Sequence, residues 1–145
     1  MPKILVVDDE DEVRAAISRR LEREGFSVTV AASSAEAASV IKSQEAGFDV
    51  IVTDMSMEET NSGLVVLKEA LMNDVFTEVI VLTAYGNVTN AVESMRNGAF
   101  DYLEKNIPGI DVYELLVLKV EMATERRRSS MNTIRRLEVF AANQA

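Results

Sequence analysis

The chain has 145 residues, with 15 Lys and Arg against 24 Asp and Glu, a formal net charge of −9, and neither His nor Cys. That composition excludes disulfides, thiolate or imidazole metal sites, and every nucleophilic mechanism that needs a histidine base in the same chain. At 48 % hydrophobic and 27 % charged, it reads as one globular domain that needs no covalent staples.

Lys3–Val7 is a continuous apolar strand candidate, and Asp8, Asp9 and Glu10 follow it directly. A helix is expected over Glu12–Glu24, where Val13, Ile17 and Leu21 step by four and Gly25 closes the end. The second strand is Ser27–Ala31, and the second helix is Ala35–Glu45 with Ser34 as its N-cap. The third strand, Val50–Thr53, runs into Asp54, and a helix follows over Leu64–Met72. The fourth strand, Val79–Leu82, runs into Thr83; its helix, Val88–Asn97, is capped by Asn87 and closed by Gly98. The fifth strand, Phe100–Leu103, leads to Lys105.

A last helix starts near Asp111 and meets no Gly or Pro as far as Phe140. At ~1.5 Å per residue it spans roughly 45 Å, longer than one small domain needs. Leu115, Leu116, Leu118 and Met122 are expected to cover the sheet. Beyond Glu125 the run Arg126-Arg127-Arg128 reads as a solvated face. The later stripe Met131, Ile134, Leu137 and Phe140 is either a frayed end or a dimerising or domain-linking segment. The domain boundary is drawn there: residues 1–125 as the body and 126–145 as the extension. The body holds 10 basic and 23 acidic side chains and the extension 5 and 1, so the body repels nucleic acid. Direct nucleic-acid binding by this chain is not expected.

No run reaches the ~18 apolar residues of a membrane span, and the apolar start meets charge at Asp8, too early for a signal peptide. A cytoplasmic protein with no membrane partner is expected. Five strands alternating with five helices predict an α/β fold with a parallel sheet covered on both faces. Ligands of such sheets sit at the carboxyl ends of the strands. Four of the five strands deliver a reactive group there: Asp8 and Asp9, Asp54, Thr83 and Lys105. Each alone is an ordinary turn or capping residue. Together they form an acidic cluster that repels itself unless a cation neutralises it. With no nitrogen or sulfur ligands the fitting ion is hard: Mg²⁺, with Mn²⁺ as a substitute. A carboxylate can also act as a nucleophile and carry a phosphoryl group.

Four segments, Ile4-Leu5-Val6-Val7-Asp8-Asp9-Glu10, Val52-Thr53-Asp54-Met55-Ser56-Met57, Val81-Leu82-Thr83-Ala84-Tyr85-Gly86 and Gly98-Ala99-Phe100-Asp101-Tyr102-Leu103-Glu104-Lys105, resemble the receiver domains of bacterial two-component response regulators. The resemblance covers about residues 1–125. It implies a flavodoxin-like, doubly wound five-stranded sheet in the order 2-1-3-4-5. It implies that Asp54 accepts a phosphoryl group from a histidine kinase or phosphotransfer protein. It also implies that Asp9 ligates Mg²⁺ with help from Asp8, Asp54 and the Ser56 carbonyl, and that Thr83 and Lys105 bind the phosphoryl oxygens. Tyr102 is the implied aromatic switch, following Thr83 inward and reshaping the face of the fourth helix, fifth strand and fifth helix. Tyr85 is expected to shield the phosphoryl group from water. That same face and the extended fifth helix are a possible homodimer surface. The implied protein is a phosphorylation switch, not a turnover enzyme.

Two departures stand out. Receivers usually carry Met-Pro three and four residues after the acceptor and Gly eight after it; here Glu58 follows Met57, and Gly63 lies nine after Asp54. The longer, acidic loop is expected either to move or to select a different kinase. Receivers also usually place Pro directly after the lysine, where this chain has Asn106, and the loop to Asp111 is longer. Three other readings compete. A phosphatase of the haloacid dehalogenase type wants a second acid where Ser56 stands. A flavin module would have its phosphate repelled by the acids at positions 8–12. A receiver-like interaction module that works without phosphate would not need Asp9, Asp54, Thr83 and Lys105 intact. The chain reads either as a stand-alone regulator or as the front piece of a longer one.

Overall fold

The computed structural model describes residues 1–144. Strands β1 (Lys3–Val7), β2 (Ser27–Ala31), β3 (Val50–Asp54), β4 (Glu78–Thr83) and β5 (Asp101–Glu104) alternate with helices α1 (Asp11–Arg23), α2 (Ser34–Lys42), α3 (Ser62–Asn73), α4 (Val88–Arg96) and α5 (Val112–Gln144). The sheet order is β2-β1-β3-β4-β5, with every neighbouring pair parallel. This is the doubly wound order expected from the sequence.

Successive residues of a strand face opposite sides of a sheet, and the inner strands show why both sides had to be apolar. Ile4 and Val6 of β1 and Val50 and Val52 of β3 pack on the α1 and α5 side with Ile17, Leu21, Leu116 and Val120. Leu5, Val7 and Ile51 pack on the other side with Ala37, Ile41, Val66 and Leu67 of α2 and α3. The helix ends follow local chemistry. Gly25 and Gly98 both take φ of +97°, the left-handed conformation that ends a helix without a Cβ clash. Asn87 caps α4 by accepting the Asn90 amide at 2.7 Å. The N-cap of α2 is Ser33, not the expected Ser34: its Oγ accepts the Glu36 amide at 3.0 Å, and Ser34 is already the first helical residue.

The face of α5 that covers the sheet also differs from expectation. Leu116, Val117, Val120 and Ala123 are buried, whereas Leu118 and Met122 are exposed. Leu116, Val120, Ala123 and Arg127 are spaced by four, three and four, so they share one stripe; Leu118 lies about 200° around the helix from Leu116. The stripe carries Arg127 into the body, where it is 7 % exposed. Its Nε donates to Asp49 at 3.1 Å and its Nη2 to Asp74 at 3.0 Å. The arginine run is therefore not one solvated face: only Arg126 and Arg128 stay exposed. α5 runs unbroken for 33 residues, about 50 Å, across the boundary drawn at residue 125. Ile134, Leu137, Val139 and Phe140 on its far part are exposed.

Candidate functional site

The site is built where the central strands end. Asp8 directly follows β1, and its amide donates to the Ala31 carbonyl at 3.2 Å, which carries the β1–β2 ladder one residue further. Asp54 is the last residue of β3, in register with Leu82 of β4. Thr83 ends β4 opposite Glu104. The Lys105 amide donates to the Thr83 carbonyl at 2.7 Å, so the ladder itself fixes where the lysine leaves the sheet. No cis peptide bond occurs among the described residues, so the Lys105–Asn106 link is trans.

Three of the expected side chains meet directly. Lys105 Nζ donates to Asp8 Oδ2 at 2.8 Å and lies 3.4 Å from Asp54 Oδ2. Asp8 is buried at 1 % exposure; its other oxygen accepts the Glu10 amide at 2.9 Å. Burial pushes the Asp54 carboxyl up to about 6, with the negative charges of Asp8 and Asp9 adding to the effect and Lys105 opposing it. Burial disfavours the Lys105 ammonium, yet the bond to Asp8 and the attraction of Asp54 outweigh it and hold that group above its usual range.

Carboxylate oxygens of Asp8, Asp9 and Glu10 lie within 4.8 Å of one another, with Asp9 and Glu10 exposed at the mouth. Four acids thus crowd one lysine. An oxygen-only donor set with surplus negative charge fits a hard divalent ion. Asp8, Asp9 and Asp54, with the Ser56 carbonyl, are the residues that would hold it.

The remaining expected residues stand further out. Thr83 is buried at the same rim, and its Oγ1 accepts the Tyr85 amide at 3.3 Å. The Tyr102 ring packs half-buried against the apolar cluster under α2 and α3, and its hydroxyl is buried without a hydrogen-bond partner among the described residues. Tyr85 is 90 % exposed, so its ring covers nothing at Asp54 in this arrangement. Ser56 is exposed, with its Oγ donating to the Thr60 carbonyl at 2.9 Å.

Sequence reasoning named Glu58 only as a departure in the loop and missed what it holds. The loop after Asp54 is pinned by it: its Oε1 accepts the Ser34 amide at 2.9 Å and its Oε2 the Ala35 amide at 3.3 Å. A side chain reaching 24 residues back leaves no local signal in the sequence. Gly63 was legible as a departure in spacing, and its cause is steric. A Cβ there would meet the Asp54 carbonyl oxygen and the Met55 Cα at 2.8 Å each.

A parallel sheet in this order, with acids and a lysine converging at the carboxyl ends of its strands, defines a CheY-like α/β module. The chain belongs to the response regulator receiver domain family, whose model matches residues 4–117. The regulatory protein AtoC of Escherichia coli is 39 % identical over 103 residues, 71 % of this chain and 22 % of that protein. The acid tolerance regulatory protein ActR of Rhizobium meliloti is 32 % identical over 132 residues, 91 % of this chain and 66 % of that protein. The chain spans 22 % to 27 % of the length of AtoC and of the DctD, AlgB and NtrX-like regulators it also matches. Among solved structures, a receiver domain from Clostridium thermocellum superposes with a TM-score of 0.78 at 33 % identity, covering 88 % of this chain and 98 % of that one. The beryllofluoride-activated NtrC4 receiver dimer gives a TM-score of 0.76 at 33 % identity, covering 88 % and 99 %.

Proposed function

We propose that this chain is a phosphorylation-controlled switch in which Asp54 accepts a phosphoryl group from the phosphohistidine of a kinase or phosphotransfer protein. A carboxylate oxygen of Asp54 attacks phosphorus, the P–N bond breaks, and its electron pair returns to the donor imidazole. Mg²⁺, when bound among Asp8, Asp9, Asp54 and the Ser56 carbonyl, supplies the positive charge that lets anionic phosphate approach anionic carboxylates. Lys105 gives up part of its hold on Asp54 and pairs with the arriving phosphoryl oxygens. Thr83 offers its hydroxyl to another, and Tyr102 moves with it, changing the surface of α4, β5 and α5. The chain stores a mark; it does not turn over a substrate. The reading places it in the cytoplasm, and no helix among the described residues is long and apolar enough to cross a membrane.

The observation that carries this reading is the bridge of Lys105 between Asp8 and Asp54, with Asp54 raised to about 6 beside it. The test is to incubate the chain with a small phosphodonor and Mg²⁺ and weigh it. Wild type gains one phosphate; Asp54→Asn and a chelator-treated sample gain none. Equal labelling of Asp54→Asn refutes the assignment.

A further inference from the structure

The two loose ends of this site are the loop after Asp54 and the start of α2, and one carboxylate ties them together. At the start of α2, Ser33 satisfies two leading amides: Oγ takes that of Glu36 at 3.0 Å and the carbonyl takes that of Ala37 at 2.9 Å. The amides of Ser34 and Ala35 remain, with no partner inside the helix. Both go to Glu58, one to each oxygen. The buried Ser62 hydroxyl, at the first residue of α3, lies 3.1 Å from Glu58 Oε1 and 3.0 Å from the Glu59 carbonyl, which share its one proton. The partial positive charge of the α2 start adds to the attraction.

Inside the loop the cross-links are short. Met57 donates its amide to the Glu59 carbonyl at 3.1 Å, Ser56 Oγ reaches the Thr60 carbonyl at 2.9 Å, and the Gly63 amide closes on the Met55 carbonyl at 2.7 Å. The loop is therefore a closed unit standing on Met55 and Gly63. Glu58 is the contact that ties it to the neighbouring α2. Ser56 lies two residues from that tie, too short a span of backbone to decouple them. A proline would stiffen this loop by fixing φ; Glu58 does so by hydrogen bonds across to another helix.

We propose that Glu58 is a positioning residue for the metal site: by clamping the loop to the start of α2 it holds the Ser56 carbonyl where Mg²⁺ is to be bound. The inference rests on the phosphoacceptor reading given above. Side chains that orient a metal ligand without touching the metal commonly govern affinity by about tenfold or more when removed.

The experiment titrates Mg²⁺ into the ¹⁵N-labelled full chain, following amide shifts, and measures amide exchange at Ser34 and Ala35. Glu58→Ala and Glu58→Gln are compared with Glu59→Gln, which removes the same charge from the same loop. Glu58→Ala is expected to weaken Mg²⁺ about tenfold, and to lose protection at both amides. Glu58→Gln, which keeps one acceptor oxygen and guards against misfolding of the first variant, falls between. Labelling by a small phosphodonor recovers at saturating Mg²⁺ in both. Glu59→Gln changes Mg²⁺ affinity less than about twofold, as a screened surface charge does. A Glu58→Ala affinity equal to that of Glu59→Gln overturns the inference and leaves the phosphoacceptor reading standing. A wild-type chain that takes up neither Mg²⁺ nor phosphate overturns both.

Discussion

Each end of the sheet holds two aspartates around one cation, and the two clusters are built for opposite purposes. At the carboxyl end Lys105 lies 2.8 Å from Asp8 and 3.4 Å from Asp54. At the amino end Arg127 lies 3.1 Å from Asp49 and 3.0 Å from Asp74. A lysine is a point charge on a flexible stem and can change partners; an arginine is a planar fork that fixes the direction of each bond. The charge balance differs too. Asp9 and Glu10 crowd the lysine end further. At the arginine end the third acid, Glu78, has Arg126 at 3.5 Å. Burial raises the Glu78 carboxyl, and Arg126 and Arg127 pull against that rise. One cluster is short of positive charge and open to an incoming ion. The other sets two arginines against its three acids and buries one of them, and it ties the continuing α5 to the body.

The largest expected effect is at the closed end. Arg127→Met removes the cation that Asp49 and Asp74 share. Removing one side of a buried ion pair costs about 3–5 kcal/mol, and the lower figure applies because Asp49 keeps 31 % of its side-chain surface. Urea unfolding measures it, and Mg²⁺ should return none of the loss. A loss that Mg²⁺ repairs would mean that the two ends are not different in kind.

At the open end the signature is a pH slope. The Asp54 carboxyl is raised from 3.8 to about 6 in the folded chain. Between those values the folded state holds more protons than the unfolded one, so stability falls as pH rises through that window and is level above it. The total is about 3 kcal/mol, at roughly 1.4 kcal/mol per pH unit. Asp54→Asn should remove the slope and be the more stable protein at pH 7 in Mg²⁺-free buffer. An unchanged slope in that variant would assign it to another group.

Lys105→Met removes the cation from the same end. The cost is smaller, about 2 kcal/mol at neutral pH, because Asp54 can answer by taking up a proton. Here saturating Mg²⁺ should restore stability, since a divalent ion fills the same deficit. Failure of Mg²⁺ to do so, with the Arg127 variant as the comparison, would remove the metal from the account.

The open end was legible in the sequence and the closed end was not, for a physical reason. Asp8, Asp54, Thr83 and Lys105 each stand next to a strong strand pattern, so finding the strands places them on one rim. Asp49 and Asp74 come from two separate connections and Arg127 from the middle of α5, and they meet only once the sheet and α5 are packed. The signal for Arg127 was present in the phase of the stripe through Leu116, Val120 and Ala123. Choosing Leu118 and Met122 for the buried face turned that stripe away from the core. Tyr85 shows the opposite limit: spacing put it beside Thr83, but spacing says nothing about a side chain that nothing holds.

The smallest effects sharpen the comparison within three consecutive arginines. Arg126 keeps 65 % of its side chain exposed while pairing with Glu78, and its guanidinium also lies 5.6 Å from the centre of the Phe100 ring. Arg128 is equally exposed and pairs with Glu125 at 3.4 Å, one turn back on the same helix. Exposed pairs contribute about 0–1 kcal/mol, with the upper part of that range for Arg126, which has two partners. Arg126→Ala should therefore cost under about 1 kcal/mol and Arg128→Ala about nothing, both fading in high salt. The Arg127 loss should persist in salt, because water and ions do not reach a guanidinium that is 7 % exposed. Three equal losses, or three that fade together, would mean the arginines act as one charged surface and that α5 leaves the body untied.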